Sequence, residues 1–384
     1  MNNSIEKKIL LSAPHMSGNE LKYIEKAFDD NFIVPLGPNV DAFENNMIQY
    51  LQEDRCYAVA MSSGTAAIHI ALRLLEVKPG EEIFCASSTF IATANPIMYE
   101  KAIPVFIDSE EESWNLCPKA LLKAIEDKKK TGKIPRILLA VDLFGTSAKY
   151  DEIAKICNEN NIQLIADAAE SLGATYKNKK CGTFGRFGIF SFNGNKIITT
   201  SGGGMLITHN KEEAQHAIKL ITQARENAPY YLHKEVGFNY RMSNVCAGIG
   251  LGQLEVLQDR VAARRLHFEN YKKKLASTPL IFNDNDTEDT KSNRWLSTAL
   301  INPKSKYQPS DLLKYLADHN IEGRHVWKPL HSQPLFSNNE FYKVSDESIS
   351  EKIFNHGICL PSCSSMTVDE HDRVTKVILS FFEQ

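Results

Sequence analysis

The chain has 384 residues, 43% hydrophobic and 24% charged, with a formal net charge of -3. That composition belongs to ordinary globular proteins and is long enough for two domains with a sizeable core. The near-neutral balance gives no electrostatic case for nucleic acid or an anionic membrane surface.

The N-terminus "MNNSIEKKILLSAPHM" has one short apolar run interrupted by Pro14. It does not read as a signal peptide, and no later segment reaches the apolar length of a membrane span. The eight cysteines are dispersed without CxxC spacing, which argues against zinc and for buried free thiols. Reduced thiols and no export signal place the expected location in the cytoplasm.

From about residue 55 to 210, short apolar runs alternate with longer amphipathic ones. "CYAVAMSSG" reads as a strand and "TAAIHIALRLLEV" as a helix, with Ala67, Ile70, Ala71, Leu74 and Leu75 on one face. "EEIFCAS" is a strand, "TFIATANPIMYE" a helix and "KAIPVFID" a strand. "PKALLKAIEDKKK" is a helix, "RILLAVDLFG" a strand, "YDEIAKICNENN" a helix and "IQLIADAA" a strand. This alternation predicts an α/β fold whose central sheet is mostly parallel and covered on both faces. "GIFSFN" and "GMLITH" leave no room for a helix between them, so one or both depart from the parallel rule. Residues 242–277 read as one long helix, kinked near its glycines, joining a large domain (1–255) to a smaller α/β C-terminal one (256–384). There "RWLSTALIN" and "CLPS" are strand-like, "PSDLLKYLADHN" is helical, and "TVDE" opens the last helix as a capping box.

In an open parallel sheet, ligands bind beyond the carboxyl ends of the strands. Three features sit there. In "SSGTAAIH", Ser63, Gly64 and Thr65 open a helix whose free amides and dipole attract a phosphate; a plain N-cap is the alternative. In "LIADAAES", Asp167 ends an apolar strand and Glu170 follows; a carboxylate there can pair with a protonated ring nitrogen or simply cap a helix. In "FSFNGNKIITTSGGGML", Lys196 lies among glycines. The P-loop pattern fails because Asn195 separates Gly194 from Lys196 and Ile197 replaces the hydroxyl. The dinucleotide fingerprint fails too, since Gly248, Gly250 and Gly252 fall inside a helical pattern. What remains is a lysine used for its amine, or a surface lysine in a loop. Together, a phosphate site, a strand-end carboxylate and a lysine 29 residues on describe a pyridoxal phosphate (PLP) enzyme. Phe90, in "SSTFIATANP", can stack on the ring.

At these residues the sequence resembles the DegT/StrS-type sugar aminotransferases, of the aspartate aminotransferase fold (PLP fold type I). The likeness runs through "GPNVDAFE", "SSGTAAIHIAL", "ADAAES", "GTFGRFGIFSFNGNKIITTSGGGML", "GFNYRMSNVCAGIG" and "WKPLHSQP". "PHMSGNELKYIEKAF" and "NGNKIITTSGGGML" add a nearer likeness to enzymes making UDP-4-amino-4,6-dideoxy-N-acetylglucosamine, the precursor of N-acetylbacillosamine. The resemblance implies Lys196 as the Schiff-base lysine, Asp167 as partner of the pyridine nitrogen, and Gly64, Thr65 and Ser191 at the phosphate. Asn193 and Glu170 join the cofactor site; many relatives carry Gln or His at the latter position. Asn239 in "GFNYR" reaches a neighbouring subunit's cofactor, which implies a homodimer with shared sites. Asn31, Phe32, Ile33 and Val34 in "NFIVPLG", and His331 in "WKPLH", are the implied sugar contacts.

The implied activity is ping-pong transamination, with L-glutamate as donor and a UDP-4-keto-6-deoxy-N-acetylhexosamine as acceptor. A GDP- or dTDP-linked acceptor is the first alternative. A PLP-dependent sugar dehydratase is another, although there a histidine replaces the lysine. A non-catalytic regulatory protein is a third.

Overall fold

The computed structural model describes residues 7–384. Its strands, in chain order, are β1 (Tyr57–Met61), β2 (Glu82–Ala86), β3 (Ile103–Ile107), β4 (Ile137–Val141), β5 (Gln163–Asp167), β6 (Thr175–Tyr176) and β7 (Lys179–Lys180). They continue with β8 (Phe187–Ser191), β9 (Gly204–Thr208), β10 (Leu280–Phe282), β11 (Ser297–Ile301), β12 (Arg324–His325), β13 (Phe341–Tyr342) and β14 (Gly357–Leu360).

Eight strands form the large sheet in the order β1-β9-β8-β5-β4-β2-β3-β13. Every neighbouring pair is parallel except β1–β9 and β8–β9. Hence β9 alone is reversed, and its first residue arrives at the edge where the other strands end. The connection 192–203 carries no helix to make the crossover that a parallel return uses, and the chain turns back antiparallel beside β8. Strands β1 to β5 are near-continuous apolar runs because both faces are buried. One lies against helix Gly64–Leu74 and its neighbours; the other meets helices Pro118–Thr131 and Tyr150–Glu159 at β2 to β5, and helix Pro38–Leu51 at β1.

Helix Gly64–Leu74 is buried nearly all round, not on one face as its spacing predicts: Ala66, Ile68 and Leu72 are as covered as Ala67 and Ile70. It lies between the sheet and the helices Asn95–Tyr99 and Lys211–Ile221. The predicted helix over 89–100 is two shorter pieces, a 3-10 turn at Ile91–Thr93 and the helix at Asn95–Tyr99.

The expected long helix over 242–277 is two helices, Asn244–Leu254 and Leu257–Lys274. The break falls at Glu255–Val256, after the glycines. Those glycines allow close packing. A Cβ on Gly248 would lie 2.8 Å from Asn39 Nδ2, one on Gly250 2.8 Å from the Phe43 ring, and one on Gly252 2.8 Å from Glu20 N. The first helix therefore serves the core under helices Glu20–Asp29 and Pro38–Leu51, while the second packs under the C-terminal sheet.

That second sheet, β10-β11-β14-β12, is antiparallel throughout and covers its own apolar cluster. Backbone pairing crosses the expected 255/256 division in both directions. Ile9 bridges to Ile321 and is buried in the C-terminal cluster, and β13 pairs with β3 in the large sheet. The last helix, Val368–Phe382, opens with a complete Thr367–Glu370 capping box.

Candidate active site

The carboxyl ends of β1, β4, β5 and β8, the segment after β2 and the start of β9 converge on one cavity of about 300 Å³. Gly64, Thr65, Phe90, Asp167, Glu170, Ser191, Asn193 and Lys196 all line it. These residues span more than 130 positions of sequence and meet only through the sheet order.

One wall is a backbone cradle. Ser63 is extended (φ -167°) and its Oγ accepts the Ala66 amide at 3.0 Å, which leaves the Gly64 and Thr65 amides without an intrahelical acceptor. There is no space for side chains here. A Cβ on Gly64 would stand 3.0 Å from Ser191 Cβ, and one on Gly204 would stand 2.3 Å from Gly64 N. Helix N-terminus, Ser191 hydroxyl and glycine backbone together suit a phosphate.

A second wall holds Asp167, 4% exposed. Its Oδ2 accepts Thr93 Oγ1 at 2.7 Å, Thr93 in turn contacts Thr89 Oγ1 at 2.7 Å, and Oδ1 accepts the Ala169 amide at 3.2 Å. Burial raises its pKa, opposed by the Thr93 hydroxyl, the Ala169 amide and the Lys196 cation. A buried carboxylate with two neutral donors is short of a positive partner, and a protonated pyridine nitrogen supplies one.

Lys196 lies in the loop between β8 and β9, its amide donating to the Asn193 carbonyl at 3.0 Å. Its side chain is 11% exposed, so the surface-lysine alternative fails. Nζ stands 3.5 Å from Glu170 Oε1 and 4.1 Å from the centre of the Trp295 ring. Glu170 is clamped: Oε2 accepts the Phe144 amide at 2.7 Å and Oε1 the Trp327 indole at 3.4 Å. Burial raises its pKa, with Lys196 and the Phe144 amide pulling the other way. The amide reaches Oε2 because Phe144 adopts a left-handed backbone (φ 54°).

Asn293, fully buried, fastens this corner. Its Nδ2 donates to the Glu170 and Leu172 carbonyls, both at 2.8 Å, and its Oδ1 accepts the Trp295 amide at 2.8 Å. The Asn195 carbonyl, one residue before the lysine, accepts Trp295 Nε1 at 2.6 Å and Ser12 Oγ at 2.7 Å. Asn293, Trp295 and Arg324 escape a reading by motif. They come from the C-terminal half in stretches with no periodicity of their own, and only the two aromatic residues in "NRWLS" and "HVWKP" hint at a pocket.

Six implied contacts, Asn239, Asn31, Phe32, Ile33, Val34 and His331, lie elsewhere. Asn239 is exposed and outside this cavity wall. The loop Asn31–Val34 is largely exposed and tied to other elements, Phe32 N to Ala27 O (2.8 Å) and Asn244 N to Val34 O (2.9 Å). His331 is not brought to the cavity: its ring stacks on Phe341 at 3.5 Å, Nδ1 contacts Ser87 Oγ at 2.7 Å and Nε2 faces Glu351 at 3.5 Å. Both ring nitrogens are engaged within the chain, which explains its place as packing between β13 and the segment after β2.

Phosphate cradle, electron-rich acid and buried amine on a mostly parallel sheet define a PLP-dependent aminotransferase of the type I fold. The chain belongs to the DegT/DnrJ/EryC1/StrS aminotransferase family, whose model matches residues 14–379. EpsN of Bacillus subtilis, assigned as a pyridoxal phosphate-dependent aminotransferase, is 52% identical over 98% of this chain and 97% of its own. GDP-perosamine synthase of Escherichia coli O157:H7 is 32% identical over 98% and 99%. The crystal structure of a DegT DnrJ EryC1 StrS aminotransferase from Brucella abortus superposes with a TM-score of 0.87 at 26% identity, covering 96% of both chains. The UDP-4-amino-4,6-dideoxy-N-acetyl-beta-L-altrosamine transaminase of Campylobacter jejuni is 27% identical over 98% of each. Sugars named among the relatives thus differ in nucleotide, and the nearer likeness to the bacillosamine enzymes stays a proposal.

Proposed function

We propose that the chain moves an amino group from L-glutamate to C4 of a nucleotide-linked 4-keto-6-deoxy sugar, with a UDP-linked N-acetylhexosamine as acceptor in the making of a bacillosamine-type glycan sugar. The observation that carries the reaction is Lys196 Nζ, buried beside Glu170 in the cavity that also holds Asp167 and the Gly64 cradle. The choice of a UDP sugar rests on the sequence likeness in "PHMSGNELKYIEKAF" and "NGNKIITTSGGGML". The GDP-perosamine synthase at 32% identity favours a GDP-linked acceptor as the second reading.

The residues divide the work. Gly64, Thr65 and Ser191 would hold the cofactor's phosphate, Asp167 its ring nitrogen, Phe90 a ring face, and Lys196 its aldehyde carbon, with Asn193 beside them. When bound, pyridoxal phosphate supplies the carbonyl that accepts an amino group and the ring that takes up the electron pair released at carbon. Lys196 Nζ removes a proton from the donor's α-carbon, and in the second half-reaction it delivers a proton to sugar C4. Glu170 opposes the charge on Nζ whenever that amine is protonated. Trp295 and Trp327 cover this corner and limit water there.

Asn239 would serve the cavity of a second copy in a homodimer, and the enzyme would work in the cytoplasm. Among the described residues, no helix is long and apolar enough to cross a membrane. The test is turnover with L-glutamate and UDP-, GDP- and dTDP-linked 4-keto-6-deoxy sugars, with mass analysis for the added amine and NMR for C4. Amine gain on the UDP-N-acetyl sugar supports the reading; gain only on a GDP sugar replaces it, and no gain on any rejects it.

A further inference from the structure

Among the described residues, the cavity wall presents two cationic side chains, Lys196 and Arg324. Arg324 belongs to β12, the edge strand of the C-terminal sheet, and has no part in the roles above. Its guanidinium is already oriented. Glu322 Oε1 accepts from Nε at 3.1 Å and from Nη2 at 2.9 Å, while Glu322 Oε2 accepts the Leu11 amide at 3.1 Å. The carboxylate is itself fixed, because the Glu322 amide donates to Ile9 O at 2.8 Å and Ile9 N to Asn320 O at 2.9 Å. Of the five N–H donors of an arginine, Glu322 takes two along one side. The remaining three lie on Nη1 and Nη2, the end-on edge that matches the two oxygens of a carboxylate. The side chain is 62% exposed, so that edge is accessible.

We infer that Arg324 holds the α-carboxylate of the amino donor. This rests on the transamination reading above, in which Lys196 must reach the donor's α-carbon. The carboxylate on that carbon brings a negative charge into a cavity that already contains Asp167 and Glu170. It needs a cation, and Lys196 is committed to proton transfer. A nucleotide diphosphate carries more charge than one guanidinium, already half-neutralised by Glu322, can meet. A single planar carboxylate is the better match.

The test uses the PLP-loaded enzyme with L-glutamate and no sugar, following the cofactor spectrum. L-glutamine replaces L-glutamate if the wild type does not respond, since both carry a carboxylate on the reacting carbon. A charge-assisted pair of this kind corresponds to roughly 10–100-fold in affinity. Arg324→Ala should raise the half-saturating donor concentration by that factor, with the maximal rate within about threefold. Arg324→Lys should recover part of the loss, and the melting temperature should not move. The reaction of the amino-loaded enzyme with its keto sugar should be unchanged. Unaltered half-saturation, or a fall in maximal rate alone, overturns the assignment. A defect confined to the sugar half-reaction gives Arg324 to the acceptor and overturns it too. A wild type silent to both amino acids sinks the donor reading itself, and this assignment with it.

Discussion

Gly64→Ala tests whether the backbone cradle is where the cofactor phosphate sits. The new Cβ would stand 3.0 Å from Ser191 Cβ and 3.3 Å from Phe190 O. Carbon atoms prefer about 3.5–4.0 Å, so the overlap is about half an ångström or more. Both partners are anchored, one on the first turn of a helix and the other at the end of β8, where Ser191 pairs with Gly204. Such overpacking costs about 1–3 kcal/mol, and the better helix propensity of alanine returns up to about 1. The net loss in stability is therefore about 0–3 kcal/mol. The cradle opens instead, weakening amide–phosphate hydrogen bonds worth roughly 1.5–3 kcal/mol, so PLP should bind about 10–100-fold more weakly. The assay is titration of cofactor-free protein with PLP and, separately, with pyridoxal, which lacks the phosphate. The variant should lose affinity for the first and not for the second. Wild-type PLP affinity in Gly64→Ala, or an equal loss for pyridoxal, refutes the placement. Gly204→Ala, with its Cβ 2.3 Å from Gly64 N, should be worse in both stability and binding.

Lys196→Ala should abolish turnover, beyond the roughly 10²–10⁴-fold expected for general acid–base catalysis alone, and should remove the borohydride-sensitive absorbance of the purified enzyme. Asn293→Ala strands two carbonyls and one amide around Glu170 and Trp295 and should cost about 3 kcal/mol in urea unfolding; a loss under about 1 would discount the clip. Asp142 is fully buried, and burial pushes its pKa up to about 6 against the Ser171 hydroxyl and the Ala148 amide. A raised acid stabilises the fold below its unfolded pKa, near 4, and loses that contribution as pH rises through about 6. Between pH 4 and 7.5, Asp142→Asn should therefore gain about 3 kcal/mol on the wild type in urea unfolding, and a gap that does not change with pH rejects the shift.

Much of the large sheet was legible because strands buried on both faces must be apolar through their middles, and β1 to β5 are, with polar residues only at their ends. Asp167 and Lys196 were legible for the complementary reason: a charged residue beside such a run interrupts it without a folding purpose. The break at Glu255–Val256 was not. It has neither proline nor glycine, and it arises because the helix changes partners. Glu255 faces Asn19, Lys22 and Tyr23, while beyond it Arg264 reaches across to Ser12. The third wall of the site was illegible for a similar reason. Asn293 and Trp295 owe their positions to contacts with residues 100 or more positions away, and Arg324 to a sheet edge. The loop Asn31–Val34 and His331 were read from likeness alone, and the fold puts both outside the wall.

The reversed strand also sets a timetable. β1 is an outer strand whose one sheet neighbour is β9, with Tyr57 opposite Thr208. During synthesis from the amino end, β1 is finished and then waits for about 150 further residues before anything can pair with it. Until that late hairpin arrives, Ser63 and Gly64 have no Ser191 or Gly204 to face, and a nascent chain has nowhere to seat vitamin B6.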